Sequence, residues 1–260
     1  MRRRIFLALA AATSLAFGAP AAQADALAEI KERGVLRVAV PQDFPPFGSA
    51  GLDMKPIGYD IDMAGAIAER LGVTAELIPV TSANRIPYLQ TGRVDLVISS
   101  LGRNAERELV IDFSDAYAPF YNGIFGDADA ELAGVADLTG KTVGVTRGAV
   151  EDLALTEMAP EGVAISRYED NNGTISAFLS GQVDVIATGN VVAAAIIARN
   201  PPRVPEMKFL IKNSPCFIGL NKNEPALLAA VNEIIAGMKA DGSLNAIAQK
   251  WLHEDLPADL

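Results

Sequence analysis

Residues 99–117 read Ser-Ser-Leu-Gly-Arg-Asn-Ala-Glu-Arg-Glu-Leu-Val-Ile-Asp-Phe-Ser-Asp-Ala-Tyr. They follow a short apolar run at 94–98 whose pattern predicts a buried strand. Serine hydroxyls and arginine therefore sit just past a strand end, where open α/β sheets bind small ligands. Arg107 matters most, because a guanidinium is always charged and its planar fork fits a carboxylate through two parallel hydrogen bonds. With Ser100 beside it, this is chemistry for holding a small carboxylate. Other chemistries are thin. His253 is the only histidine and lies near the C-terminal end, so no histidine-based triad or histidine-rich metal site is expected. Cys216 is the only cysteine and reads as a small buried hydrophobe. Asp112, Asp115, Asp127 and Asp129 lack the spacing of a calcium loop, and no glycine-rich phosphate loop is present. No metal and no cofactor are expected.

The elements that must position these groups alternate along the chain. Strands are predicted at 35–40, 74–80 and 94–98, with helices at 60–71 and 83–90. The alternation resumes with strands at 141–145, 163–168 and 183–187 and helices at 150–158, 172–179 (capped by Asn172) and 191–198. Such β-α-β order argues a mostly parallel, doubly wound sheet. Residues 89–98 and 178–187 share a helix end, a glycine, Val-Asp and an apolar run, so the chain reads as two similar lobes. Asp95 and Asp184 are structural on this reading. Two closing helices are expected at 226–238 and 244–252. Segments 118–127 and 212–220 are candidate hinge crossings, which makes a cleft between lobes the expected binding site.

The N-terminal 24 residues read as a targeting segment: three arginines, an apolar stretch from Ile5 to Phe17, then Ala22-Gln23-Ala24 before Asp25. Export by the general secretion route to the periplasm is expected, although Arg3-Arg4 has a twin-arginine flavour. With no cysteine at the mature N-terminus, no lipid anchor is expected. The net charge of −10 disfavours nucleic acid or an anionic membrane as partner, and half of the 260 residues are hydrophobic, ample for two cores.

In order and spacing, several stretches together resemble the extracellular solute-binding proteins of polar amino-acid ABC uptake transporters. They are G-V-L-R-V-A-V with P-P-F at 34–47, G-Y-D-I-D-M-A at 58–64, N-R-I-P-Y-L-Q-T-G-R-V-D-L at 84–96, E-R with I-D-F-S-D-A-Y at 106–117, D-L-T-G-K-T-V-G-V at 137–145 and D-G-S-L-N-A-I-A-Q-K-W at 241–251. The resemblance implies two Rossmann-like lobes joined by a two-segment hinge, the type II periplasmic binding fold. Lobe one would comprise 25–118 plus 215–260 and lobe two 119–214. It implies a monomer that traps a polar or acidic amino acid, or a related small carboxylate, and delivers it to a membrane permease without catalysis. The alternative on the same fold is an enzyme resembling cyclohexadienyl dehydratase.

The resemblance also implies site residues. Arg107 would clamp the ligand α-carboxylate, with Ser100 at the strand end and Phe44 packing on the ligand. Arg85 looks like the extra arginine of acidic-amino-acid binders. In lobe two, Thr146, Arg147 and the Gly148 amide would cover the carboxylate at a helix N-terminus. Gly102 replaces a frequent threonine, Ala149 another, and Pro41 a frequent aspartate. No aspartate lies near Gly189, where the family usually pairs one with the ligand ammonium. An ammonium buried without an acceptor is costly. Either another acid serves, with Asp43 the nearest candidate, or the ligand is not a standard α-amino acid.

Overall fold

The computed structural model describes residues 25–260; the predicted targeting segment at 1–24 lies outside the described residues. The chain forms two α/β lobes, each built on a five-stranded sheet. The first sheet has the order β5 (Thr74–Val80), β1 (Val35–Pro41), β6 (Leu96–Leu101), β13 (Cys216–Asn221), β7 (Ile111–Ala118). The second has the order β10 (Ala164–Tyr168), β9 (Thr142–Thr146), β11 (Val185–Gly189), β8 (Tyr121–Gly126), β12 (Glu206–Asn213). In both, three parallel strands are followed by two strands joined antiparallel. A small sheet of β2 (Asp43–Phe44), β3 (Gly48–Ala50) and β4 (Pro56–Ile57) lies beside the first.

Side-chain alternation along the strands explains the two-sided packing. On β1, Leu36, Val38 and Val40 turn to the face covered by helix α2 (Tyr59–Leu71), where Met63, Ala64 and Ile67 are buried. Ala39 turns to the opposite face with Leu89 of helix α3 (Arg85–Gln90). In the second sheet Val143 and Val145 share a face with Leu155 of helix α5 (Val150–Met158). Ile186 and Phe125 share the other with Ala177 and Phe178 of helix α6 (Asn171–Leu179) and with Val192, Ala193 and Ile196 of helix α7 (Asn190–Ile197).

The 89–98 and 178–187 repeat is a repeat of backbone wiring. Gly92 and Gly181 both adopt left-handed φ, 67° and 74°, a conformation in which glycine carries no Cβ penalty. The next residue's N–H then reaches back into the preceding helix, Arg93 to Tyr88 and Gln182 to Ala177, both at 2.9 Å. These turns delay both strands. They begin at Leu96 and Val185 rather than at 94 and 183, and so run on through Ser99-Ser100 and to Gly189. The serines therefore belong to the strand end itself.

Other boundaries also move. Helix α6 starts at Asn171, because the Asp170 side chain, not Asn172, accepts the Gly173 N–H as N-cap. The predicted hinge segments are mostly strand: Ile124 and Phe125 of β8, and Ile218 and Leu220 of β13, are buried. Among the described residues the chain passes between sheets only at 119–120 and 214–215, and the two passages are joined by Ser214 N–H donating to Phe120 O at 3.0 Å. Helix α1 (Ala26–Arg33) was not predicted; Asp25 caps its start and Gly34, φ 68°, its end. Helices α8 (Pro225–Ala240) and α9 (Ser243–Trp251) bury Val231, Ile235, Met238 and Leu244 against the first lobe's core.

Candidate functional site

A small cavity with about 10 Å³ of free room, space for about one water molecule, lies between the sheets. The first lobe lines it with Phe44, Ser82, Arg85, Ser100, Gly102 and Arg107. The second contributes Ala149, Val150, Glu151 and Asn171, and Phe120 closes the side where the chain passes between sheets. Five sequence-predicted residues, Arg107, Arg85, Ser100, Phe44 and Gly102, are thus brought together.

Arg85 and Arg107 are only 5% and 6% exposed. Arg85, at the first position of α3, donates from Nε to Ser99 Oγ at 3.0 Å. Arg107 sits on the short helix α4 (Ala105–Glu108), where Asn104 Oδ1 accepts the Arg107 backbone N–H at 2.8 Å as N-cap. Its Nη1 donates to Gly102 O at 2.7 Å and its Nη2 crosses to Gly148 O at 2.9 Å. A guanidinium carries five N–H donors, so donors remain on both. Among the described residues neither arginine is within 4.0 Å of a carboxylate. Burial pulls the Arg85 pKa down. It lowers that of Arg107 to about 10, with the like charge of Arg85 pushing the same way. The two cations repel each other in a poorly solvated wall.

Behind Arg85 stands a buried polar network. Asp60, in the first turn of α2, accepts the Ser100 N–H at 2.7 Å and the Tyr117 hydroxyl at 2.6 Å. Tyr59 donates to Tyr117 O at 2.8 Å. Burial raises the Asp60 pKa to about 7, while the Tyr117 and Ser100 bonds and Arg85 oppose it. Ser100 takes a left-handed φ of 41°, a strained setting for a residue with a Cβ. Its Oγ is buried in the cavity wall without a hydrogen-bond partner among the described residues. Phe44 stacks near Phe47 and Phe120, centroids 6.1 and 6.0 Å away, so aromatic packing bridges the passage between lobes.

In the second lobe the predicted contacts fall elsewhere. Thr146 is buried behind the wall, bonded to Asn171 Oδ1 and Thr174 Oγ1 at 2.8 Å each. Arg147 turns outward to Glu169 at 2.9 Å, with the two side chains 48% and 80% exposed. The Gly148 N–H is used by Asp152 Oδ2 at 2.9 Å, and it is the Gly148 carbonyl that faces Arg107. Asp152 also pairs with Arg167 at 2.8 Å. Asp43 is spent as well: its carboxylate accepts the Asn171 backbone N–H at 2.5 Å and the Asn171 amide at 3.3 Å, binding the first lobe to the start of α6. Gly189 lies against Phe120, whose ring occupies the place a Cβ would take, so no acid fits there. Gly102 is similarly confined, because a Cβ would collide with Ser214 Oγ and crowd Val150.

Sequence reasoning missed Ser82, Phe120, Asn171 and, above all, Glu151. Glu151 is 4% exposed in the cavity wall, one residue into α5. Burial raises its pKa to about 7, with Arg85 and Arg107 opposing and Asp152 adding to the rise. Its place in the first helical turn was the available signal, but acids are common there for dipole reasons alone. No grouping of three metal-ligating side chains exists among the described residues. The site therefore offers positive hydrogen-bond donors, one buried carboxylate, hydroxyls and an aromatic face: equipment for binding a small charged solute.

Comparison with known proteins agrees with this geometry. Residues 36–254 match the model of the bacterial extracellular solute-binding proteins, family 3. The chain is 30% identical over 234 residues to the L-cystine-binding protein TcyJ of Escherichia coli K12, covering 88% of this chain and 87% of that one. It is 30% identical over 240 residues to the glutamine-binding protein GlnH of Bacillus subtilis, covering 90% and 87%. Among solved structures, an ancestral amino acid-binding protein described as a precursor of cyclohexadienyl dehydratase superposes with a TM-score of 0.79 at 32% identity, covering 86% and 98%. With two lobes around a polar cavity and a family match along nearly the whole described chain, the protein belongs to the bacterial extracellular solute-binding proteins, family 3.

Proposed function

We propose that the protein is the periplasmic capture subunit of an ABC uptake transporter. It acts as a monomer, holds a small carboxylate-bearing solute, a polar or acidic amino acid, and hands it to a membrane permease. Its lobes on this reading are 25–118 plus 215–260 and 119–214. One observation carries the proposal: two buried guanidiniums, without a carboxylate partner among the described residues, face the same small cavity. A buried cation without a counter-ion is strongly unfavourable, so the site is incomplete until an anion enters.

Arg107 and Arg85 supply fixed charge and Ser100 an uncommitted hydroxyl. Phe44 and Phe120 exclude water, which strengthens every charged contact inside. Closure follows because only the closed arrangement contacts solute from both lobes. The named relatives are binding proteins, the ancestral one included, and this supports capture without turnover over the dehydratase alternative. A thermal-shift screen of amino acids and small carboxylates tests the reading, since a ligand that binds the folded form raises the melting temperature by mass action. A shift from at least one amino acid or carboxylate is expected; shifts from none, or only from solutes without a carboxylate, would overturn it.

A further inference from the structure

Four buried acids surround the cavity: Asp43, Asp60, Glu151 and Asp152. Three are fully engaged by protein. Asp43 takes both Asn171 donors, Asp60 takes the Ser100 N–H and the Tyr117 hydroxyl, and Asp152 takes the Gly148 N–H and Arg167. Glu151 differs. Among the described residues no other residue donates to its carboxylate. It is also the only acid of the four that lines the cavity. It faces Arg85 and Arg107 across that space without closing an ion pair to either. A carboxylate in such a place is an acceptor held in reserve.

We propose that Glu151 receives a cationic group of the solute, so that the site selects a carboxylate that also bears an amine. The inference rests on the function proposed above and narrows it. It also relocates the acid missing near Gly189, where the Phe120 ring leaves no room. Charges are then divided by lobe: the first supplies cations for the solute's carboxylate, the second an anion for its amine. A zwitterion spans the gap and is the species that rewards closure from both sides.

Protons should report this. The charged groups around Glu151 are Arg85 on α3, Arg107 on α4 and Asp152 beside it on α5, while Asp43 and Asp60 act on Arg85. Burial outweighs the two arginines and leaves the Glu151 pKa at about 7 in the empty site. An ammonium alongside favours the ionised form. Capture near neutral pH therefore expels a proton from Glu151, and capture about two pH units higher expels none from this residue. An amine-free carboxylate would do the opposite, favouring protonated Glu151 and binding better as pH falls.

The test is titration calorimetry near pH 7, in buffers of different ionisation heat, on wild type and Glu151→Gln. The probes are L-glutamate, L-glutamine, L-cystine and L-arginine, with glutarate, glutaramate and dithiodipropionate as amine-free counterparts of the first three. Expected for wild type is a preference of roughly tenfold or more for the amine-bearing member of a pair, with proton release. Both preference and release should shrink in Glu151→Gln. Equal binding of amine-free counterparts by wild type, or a preference retained in Glu151→Gln, overturns the role of Glu151 and leaves carboxylate capture standing. Absence of binding by every probe overturns both. If Glu151→Gln does not fold, wild type decides alone: no amine preference, or proton uptake in place of release, overturns the role.

Discussion

Asp95 and Asp184 occupy equivalent places in the two lobes, and they are wired alike. Each carboxylate accepts a backbone N–H from the neighbouring parallel strand, Arg37 for Asp95 at 2.8 Å and Thr142 for Asp184 at 2.7 Å. Each donates its own N–H back to that strand residue's carbonyl. In the first lobe Arg33 and Arg37 add ion pairs to Asp95, whose side chain is 9% exposed. In the second lobe Asp184 is exposed and has no such pairs among the described residues. The same division recurs at the opposite strand ends, where the first lobe presents Arg85 and Arg107 and the second Glu151 and Asn171. The shared wiring sets where strands start and stop. What each lobe does is set by the few side chains at their ends, and the two lobes meet there with opposite charge.

Removing a cation from the first lobe breaks this comparison most severely. Arg107→Ala should weaken solute binding by about 2–4 kcal/mol, the range for deleting one partner of a desolvated charged pair, and Arg85→Ala by a similar amount. Calorimetry on the solute found by thermal shift measures both, and unchanged affinity would remove that arginine from the site.

The second lobe's acid acts on stability as well. A carboxyl raised from 4.5 to about 7 contributes stability below the unfolded value, and loses it as pH rises through the folded one. Ligand-free Glu151→Gln should therefore match wild type near pH 4.5 and exceed it near pH 8 by about 1–3 kcal/mol, a few degrees in Tm for a chain of this size. Melting curves at the two pH values decide, and a variant that is less stable at pH 8 than at pH 4.5, relative to wild type, contradicts the buried, raised carboxyl.

Asp43→Ala probes the contact between lobes. It leaves the buried Asn171 N–H at the start of α6 without its acceptor, a loss that typically costs about 1–3 kcal/mol. It should also enlarge the radius of gyration of the ligand-free protein in small-angle scattering. No change in either measure would deny Asp43 a part in holding the lobes together. Arg147→Ala should be the quietest change, within about 0.5 kcal/mol in stability and affinity, because its partner lies on an exposed surface. A large loss of affinity would return Arg147 to the site.

The parts legible in the sequence are those with a strong local cause. Buried runs such as Val35–Pro41 and glycine-stopped helices such as Tyr59–Leu71 announce themselves through periodicity and φ requirements. Strands β7, β8, β12 and β13 were harder, since they leave the β-α-β alternation, pair antiparallel with register shifts, and end on sheet edges at β7 and β12. Likewise Arg85, Arg107, Ser100 and Phe44 stand where chemistry is conspicuous. Glu151 and Asn171 occupy helix starts, where an acid or an amide has an ordinary local explanation, and only the fold turns them toward the cavity. Thr146 and the Gly148 amide failed for the complementary reason: their hydrogen bonds are consumed nearby, by Asn171, Thr174 and Asp152.

The paired passages at 119–120 and 214–215 carry a mechanical consequence. One connecting chain would let a lobe swivel about it as well as bend. Two passages side by side, joined by the Ser214–Phe120 bond, define an axis and suppress the swivel. On the function proposed above, opposite walls would then approach along essentially one path, the separation of Arg107 and Glu151 would be a reproducible length, and the cleft would act as a gauge for the separation of charges on the solute.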